Sequence, residues 1–308
     1  MYETFYGFDE KPFSLLPDPA FLYLGRQHSN AYSLLQYAVL SQAGFTVITG
    51  EVGCGKTTLI RHLLNQLTDE VTVGLITNTA NARDNLLKWV LRAFRQDYKN
   101  KDPVELHEIF EDFLIAEYGH GRRTALIVDE AQNLPIDTLE ELRLLSNINA
   151  DKDQVLQLIL VGQPELKTKL ELPDLQQFAQ RVVVNYHLSA LNQQEVPRYI
   201  QHRLERAGAE APLFSDAACD LVHQSTDGVP RLINALCDMA LVYGYAERVR
   251  TIDDGLVQTV IDDRAGGIRP TRGSPQDQNQ PPTAGNEPAI VIFDRNMARE
   301  LFNHLRKK

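Results

Sequence analysis

One run of residues carries the most specific chemistry in the chain. Gly50-Glu51-Val52-Gly53-Cys54-Gly55-Lys56-Thr57 matches G-x-x-x-x-G-K-[ST] in full. Glycines at this spacing let successive backbone amides turn inward around phosphate oxygens. Lys56 then supplies a cation to the β- and γ-phosphates, and the Thr57 hydroxyl a ligand for Mg²⁺. A second group lies downstream, where the apolar run Ala125-Leu126-Ile127-Val128 ends in Asp129-Glu130. Asp129 is expected in the Mg²⁺ shell, and Glu130 is expected to orient and deprotonate an attacking water. Phosphate transfer to a small substrate needs no water-activating base, so this pair favours ATP hydrolysis over a kinase reaction.

Three further polar residues are candidates. Gln163 ends the apolar run Leu158–Val161 and Gly162. Its side chain either helps hold the water or simply begins a loop. Arg181 precedes Val182, and Arg231 follows Pro230 at a predicted helix start. A guanidinium is always cationic and forked, which suits transition-state phosphate charge, yet each arginine alone also suits a surface ion pair.

These residues need a scaffold, and the pattern predicts one. Short apolar runs at Phe45–Thr49, Val71–Thr77, Thr124–Val128, Leu156–Val161 and Val182–His187 read as strands covered on both faces. Helical patterns alternate with them. Asn81–Tyr98 and Val104–Tyr118 form two, and Leu139, Leu142, Leu145 and Ile148 line a third. From Asn192 to about Arg264 only helices are expected: Gln193–Ala207, Ser215–Ser225, Pro230–Tyr245 and Asp253–Asp263. Ser215 and Asp253 read as N-caps, and Pro230 as a first helical residue. The fold class is therefore α/β: a P-loop domain with a five-stranded parallel sheet, a small helical lid domain and a flexible tail. The expected layout is an aromatic and proline-rich segment over 1–26, the nucleotide-binding domain over 27–190 and the lid over 191–268. A Pro/Gln/Asn linker follows over 269–288, then a basic amphipathic tail over 289–308.

Charge narrows the partners. The net charge is −10, and residues 269–308 carry 7 basic and 4 acidic side chains, leaving −13 on residues 1–268. An acidic body disfavours a nucleic-acid partner, because phosphate contacts need Lys and Arg. Lys88, Arg92, Arg95, Lys99 and Lys101 are the exception, a candidate basic face. No apolar run long enough for a transmembrane helix and no secretory signal pattern is present. Cys54, Cys219 and Cys237 are too few and too scattered for a disulfide scaffold or a four-Cys zinc site.

The ordered blocks resemble the ExeA/GspA group of AAA+ ATPases. That group includes the ATPase of the general secretion pathway, the MSHA-pilus ATPase MshM, and ATPases encoded with exopolysaccharide and exosortase systems; transposition ATPases of the TniB/TnsC kind are more distant. The resemblance covers about residues 1–265. It rests on Phe5-Tyr6-Gly7-Phe8, Lys11-Pro12-Phe13, Pro17-Asp18-Pro19, Gly50 through Thr57 to Thr58, Val128-Asp129-Glu130-Ala131-Gln132, Val161-Gly162-Gln163-Pro164-Glu165-Leu166, Gln180-Arg181 and Gly228 through Asn234. It implies that Gln163 is sensor 1, Arg181 an arginine finger acting on a neighbouring subunit of a homo-oligomer, and Arg231 sensor 2. It places Arg26 and His28 near the adenine. GspA proteins continue into a membrane segment and a peptidoglycan-binding domain. The different ending here favours a cytoplasmic ATPase, peripheral at the inner membrane, that serves pilus or polysaccharide export. The 289–308 tail is expected to dock on an envelope partner. The alternative is a transposition-type regulator that binds duplex DNA. A nucleotide-gated scaffold without turnover is disfavoured by the intact Glu130.

Overall fold

The computed structural model of the chain describes residues 1–41, 44–77, 85–150 and 153–265. The linker and tail expected over 269–308 lie outside the described residues, as do 81–84 of the predicted helix Asn81–Tyr98. The described chain forms two compact units. One gathers 1–30, 51–64 and 188–265, and the other 31–50 and 65–187.

The second unit is built on a sheet. Its strands are β1 (Phe45–Gly50), β2 (Val71–Ile76), β3 (Arg123–Val128), β6 (Leu156–Gly162) and β7 (Val182–Leu188), in the order β2-β3-β6-β1-β7. The β2/β3, β3/β6 and β1/β6 pairs are parallel, with Phe45 opposite Leu158 and Val128 opposite Leu160. Alternate residues face one core. Phe45, Val47, Leu126, Val128, Leu158 and Leu160 join it from the sheet. Ile48, Ile127, Ile159 and Val161 on the other face are also fully buried, as the unbroken apolar runs require. Because β3, β6 and β1 are neighbours, their carboxyl ends bring Asp129, Gln163 and Gly50 to one sheet edge. Ligands bind at that edge in open α/β sheets.

Helices α4 (Leu86–Ala93), α5 (Pro103–Gly119), α6 (Ile136–Leu145), α7 (Pro164–Leu170) and α8 (Gln176–Ala179) complete this unit. α4 is shorter than the sequence pattern. Asn85 caps its start by accepting from the Lys88 amide at 3.2 Å. Its end is closed by Arg95 at φ 59°, with the Gln96 amide donating back to the Leu91 carbonyl at 2.8 Å. That left-handed closure stops the helix although the apolar spacing runs on. Ile148 likewise lies beyond the end of α6. A two-residue hairpin, β4 (Asn149–Ala150) with β5 (Asp153–Gln154), is too short to leave a sequence pattern.

The first unit is mainly helical: α1 (Tyr2–Tyr6), α9 (Glu195–Arg206), α10 (Asp216–Thr226), α11 (Pro230–Ala246) and α12 (Asp254–Ala265). Helices α2 (Arg26–Ser41) and α3 (Lys56–Gln66) run from one unit into the other. Ser215 accepts from the Ala218 amide at 3.1 Å and Asp253 from the Leu256 amide at 2.9 Å, so both expected N-caps form. The aromatic start of the chain is part of this core. Tyr2, Tyr6, Phe8, Phe13 and Phe21 are buried with residues of α9–α12. Each such ring contributes roughly 1.5–3 kcal/mol by leaving water. The Arg203 side chain of α9 ties the segment down, with Nε donating to the Pro12 carbonyl at 2.5 Å and the guanidinium lying over the Phe21 ring at 4.9 Å.

Candidate nucleotide site

The phosphate loop leaves β1 at Gly50 and enters α3 at Lys56. Gly53 and Gly55 take φ 85° and 92°, the left-handed region where a side chain is strained. Alternation of this kind makes a nest of backbone amides for an anion. The loop is held largely through its carbonyls. His28 Nε2 lies 2.9 Å from the Cys54 oxygen, and the Arg231 amide donates to the Gly53 oxygen at 3.2 Å. A Cβ at Gly53 would have no room, coming 2.6 Å from the Arg231 Cβ, while one at Gly55 would press on His28 Nε2 at 3.1 Å. Lys56 is buried, and its Nζ donates to the Glu51 carbonyl at 3.0 Å. Thr57 and Thr58 are half-buried, while Glu51 and Val52 are exposed. Cys54 is fully buried, and burial pushes its thiol up from the ordinary value despite the nearby Lys56. A small apolar side chain is what the position accommodates, and a reactive thiolate is not favoured there.

His28 holds the loop from α2. Burial lowers its imidazole below the ordinary value, against the opposing effects of the Cys54 carbonyl and the Glu195 charge. Its Nδ1 is buried with no hydrogen-bond partner among the described residues. Glu195 of α9 in turn accepts from the Arg26 amide at 2.9 Å and the Asn192 amide at 3.1 Å, which fixes the start of α2.

The carboxylate corner belongs to the sheet unit. Asp129 is buried at the end of β3, with its amide donating to the Ile76 carbonyl at 2.8 Å. Glu130 follows at φ 54° and ψ 36°, a left-handed turn that redirects the chain, and its amide donates to Asp129 Oδ1 at 2.9 Å. Gln163 Nε2 donates to Glu130 Oε2 at 3.3 Å. Gln132 Nε2 donates to the same oxygen at 2.6 Å. Its Oε1 accepts the Gln163 amide at 3.0 Å.

A family profile described as an AAA domain matches residues 39–170. Residues 39–170 are an AAA domain. The chain is similar to General secretion pathway protein A of Aeromonas hydrophila, at 40% identity over 256 residues, 83% of this chain and 47% of that protein. The resemblance to the ExeA/GspA group therefore holds, and the chain spans about half the length of that relative. Among solved structures it is similar to Aeropyrum pernix ORC2 in ADPNP and ADP complexes, with TM-score 0.63 and 18% identity over 83% of this chain and 72% of that one. Cdc6p from Pyrobaculum aerophilum gives TM-score 0.63 and 16% identity, over 82% and 73%. At such identities these two likenesses show the fold alone.

An AAA domain binds nucleotide, and the chain's own residues fit one. The left-handed glycines form the anion nest, and the orphaned His28 Nδ1 sits on an imidazole that abuts the same loop. The Thr57 hydroxyl and Asp129 carboxylate are hard oxygen donors of the kind Mg²⁺ takes alongside phosphate and water. No cluster of three or more His, Cys, Asp or Glu able to hold a metal occurs among the described residues. None of their helices is long and apolar enough to cross a membrane.

The two arginines fall in different places of the AAA fold. Arg231 is exposed at the start of α11, and its backbone touches the phosphate loop. Arg181 precedes β7, and its carbonyl accepts from the amide of Phe45, the first residue of β1, at 3.0 Å. It therefore stands at the amino edge of the sheet, opposite the edge that carries Glu130 and Gln163. Strands rise about 3.3 Å per residue, so the two edges are roughly 20 Å apart. Its Nη1 donates to Ser146 Oγ at 3.1 Å, just past α6. The structure thus joins Glu130 with Gln163, and the loop with Arg231, but keeps Arg181 away from its own sheet's carboxylates. Gln132 joins the site through Glu130 and the Gln163 amide, and the sequence marks it only as the last residue of the Val128–Gln132 block.

Proposed function

We propose that this chain is an Mg²⁺-dependent ATPase that works as a homo-oligomer and drives or regulates assembly of a cell-envelope machine. One observation carries the hydrolytic reading: a complete phosphate loop with left-handed glycines lies in the same AAA domain as a strand followed directly by Asp129-Glu130. On this reading residues Gly50–Thr58 bind the phosphates through backbone amides, and Lys56 balances their charge. Thr57 and Asp129 would hold Mg²⁺, which would supply positive charge to balance that developing on the phosphates. Glu130 accepts the proton of the attacking water, and Gln163 orients that water.

Arg181 serves a neighbouring subunit. Its position at the sheet edge away from Glu130 supports action in trans, because its own carboxylate corner is about a strand length away. Arg231 reports nucleotide to the lid helices through its contact with the loop. The envelope role rests on similarity to General secretion pathway protein A. Export of a pilus or polysaccharide is the finer form of the proposal, with work in the cytoplasm at the inner membrane and residues 289–308 docking on an envelope protein.

The test is phosphate release from ATP by the purified full chain, with Mg²⁺ and with a chelator, across a range of protein concentrations. Turnover is expected only with Mg²⁺, and the rate per subunit should rise with concentration. Turnover no greater than that of Lys56→Ala would overturn the reading.

A further inference from the structure

The Glu130 corner holds an amide network that a lone water-activating carboxylate does not require. A glutamate side chain has three rotatable bonds, and nothing in its covalent structure aims its oxygens. Here one oxygen, Oε2, receives two amide donors, from Gln132 at 2.6 Å and from Gln163 at 3.3 Å. The shorter bond comes from a carboxamide whose other end is fixed. Gln132 Oε1 accepts the backbone amide of Gln163 at 3.0 Å, and that amide belongs to the first residue after β6. The carboxamide also fills the space above the end of that strand, since a Cβ on Gly162 would stand 2.8 Å from Gln132 Oε1. The turn beneath it is secured by Lys169 of α7, whose Nζ donates to the carbonyls of Gln132 at 2.5 Å and Leu134 at 2.7 Å.

We propose that Gln132 is the positioning residue for Glu130, a bridge that keeps the carboxylate aimed while Gln163 changes partners; this rests on the reading of Glu130 as the base. Gln163 Nε2 carries two N–H groups, but its 3.3 Å bond to Glu130 is the longer of the two at Oε2, and it is the one broken when the side chain turns toward the substrate. Gln132 is not subject to that competition, because its acceptor end is tied to main chain. It therefore holds the carboxylate through the step in which the base must be in place. Misplacing a reacting group by about 1 Å can cost on the order of 100-fold in rate, so a side chain that does no chemistry still bears on turnover.

The experiment uses Gln132→Glu in the full chain, with Gln132→Met and Glu130→Gln beside it. Gln132→Glu keeps the length and the acceptor for the Gln163 amide but removes the donor to Glu130. It is expected to lower kcat about tenfold or more while KM and nucleotide affinity stay within about twofold, because binding is unchanged and aim is lost. Gln132→Met, of similar volume, should show the same split and covers the case in which the added charge disturbs folding. Wild-type kcat in either folded variant, or kcat and affinity falling together, would overturn the proposal. If Glu130→Gln turns over as fast as wild type, the base assignment fails first; if it is inactive while both Gln132 variants match wild type, only the bridge fails.

Discussion

The phosphate loop and the Glu130 corner are fixed by opposite means. The loop is held by backbone: two left-handed glycines, and carbonyls bonded to His28 and to the Arg231 amide. The corner is held by side chains: Gln132, Gln163 and Lys169 pin a carboxylate and the turn beneath it. The difference follows from the work each does. Phosphate oxygens are bound by amides whose geometry is the chain's own, so most side chains in the loop are free to vary. A base acts through one oxygen at one place, so its aim depends on each side chain that touches it. Substitutions in the loop should then act on binding, and substitutions in the corner on turnover.

Arg181 lies outside both regions and carries the largest expected effect. Arg181→Ala should bind ATP and hydrolyse it slower by a factor on the order of 10³–10⁵, the range for arginine fingers elsewhere. Mixing it with Lys56→Ala should restore part of the activity, because one variant keeps its loop and the other its finger. Phosphate release from the mixture under subunit exchange is the measurement; mixed oligomers no faster than the separate variants would make Arg181 a structural partner of Ser146 instead.

Gly55→Ala probes the loop's backbone. A side chain at φ 92° is strained, and its Cβ would press on His28 Nε2 at 3.1 Å. Strain of about 1–3 kcal/mol should weaken nucleotide binding about 5- to 150-fold, read by titration with a fluorescent ATP analogue. Unchanged affinity would show that the loop reshapes on binding and that its resting form is not the binding form.

A smaller effect is expected from His28. Its imidazole sits below the ordinary value of 6.5 in the folded protein because it is buried. The unfolded chain thus takes up a proton that the folded chain resists. The stability tied to neutral His28 is whole above about pH 6.5 and is lost as pH falls below it. Thermal melts between about pH 8 and pH 5 should show a falling Tm that is flatter in His28→Gln. Equal slopes would assign the acid loss to other groups.

The smallest effect belongs to Cys54. Its thiol is buried and pushed up, and its carbonyl makes the contact that matters. Cys54→Ala should leave ATPase activity near wild type. A large loss would mean that the loop depends on a side chain after all.

The same contrast explains what the sequence could disclose. Gly50–Thr57 was legible because the loop's geometry is written in consecutive residues, and the five strands because each is an unbroken apolar run. Gln132 escaped because its partners are Glu130 beside it and Gln163, 31 residues away, joined by amides that leave no periodicity. The end of α4 escaped because Arg95, not Gly or Asn, takes the left-handed position. The place of Arg181 at the amino edge follows from strand order, which short apolar runs do not encode.

The central claim is that binding belongs to the loop and turnover to the carboxylate corner. It is tested most directly by measuring ATP affinity and single-turnover phosphate release on the same preparations of wild type, Lys56→Ala and Glu130→Gln. The account predicts that Lys56→Ala loses tight binding. Glu130→Gln should keep its affinity and release phosphate about 10²–10⁴ times more slowly, the usual worth of a general base. Loss of binding in Glu130→Gln, or wild-type turnover in either variant, would contradict it.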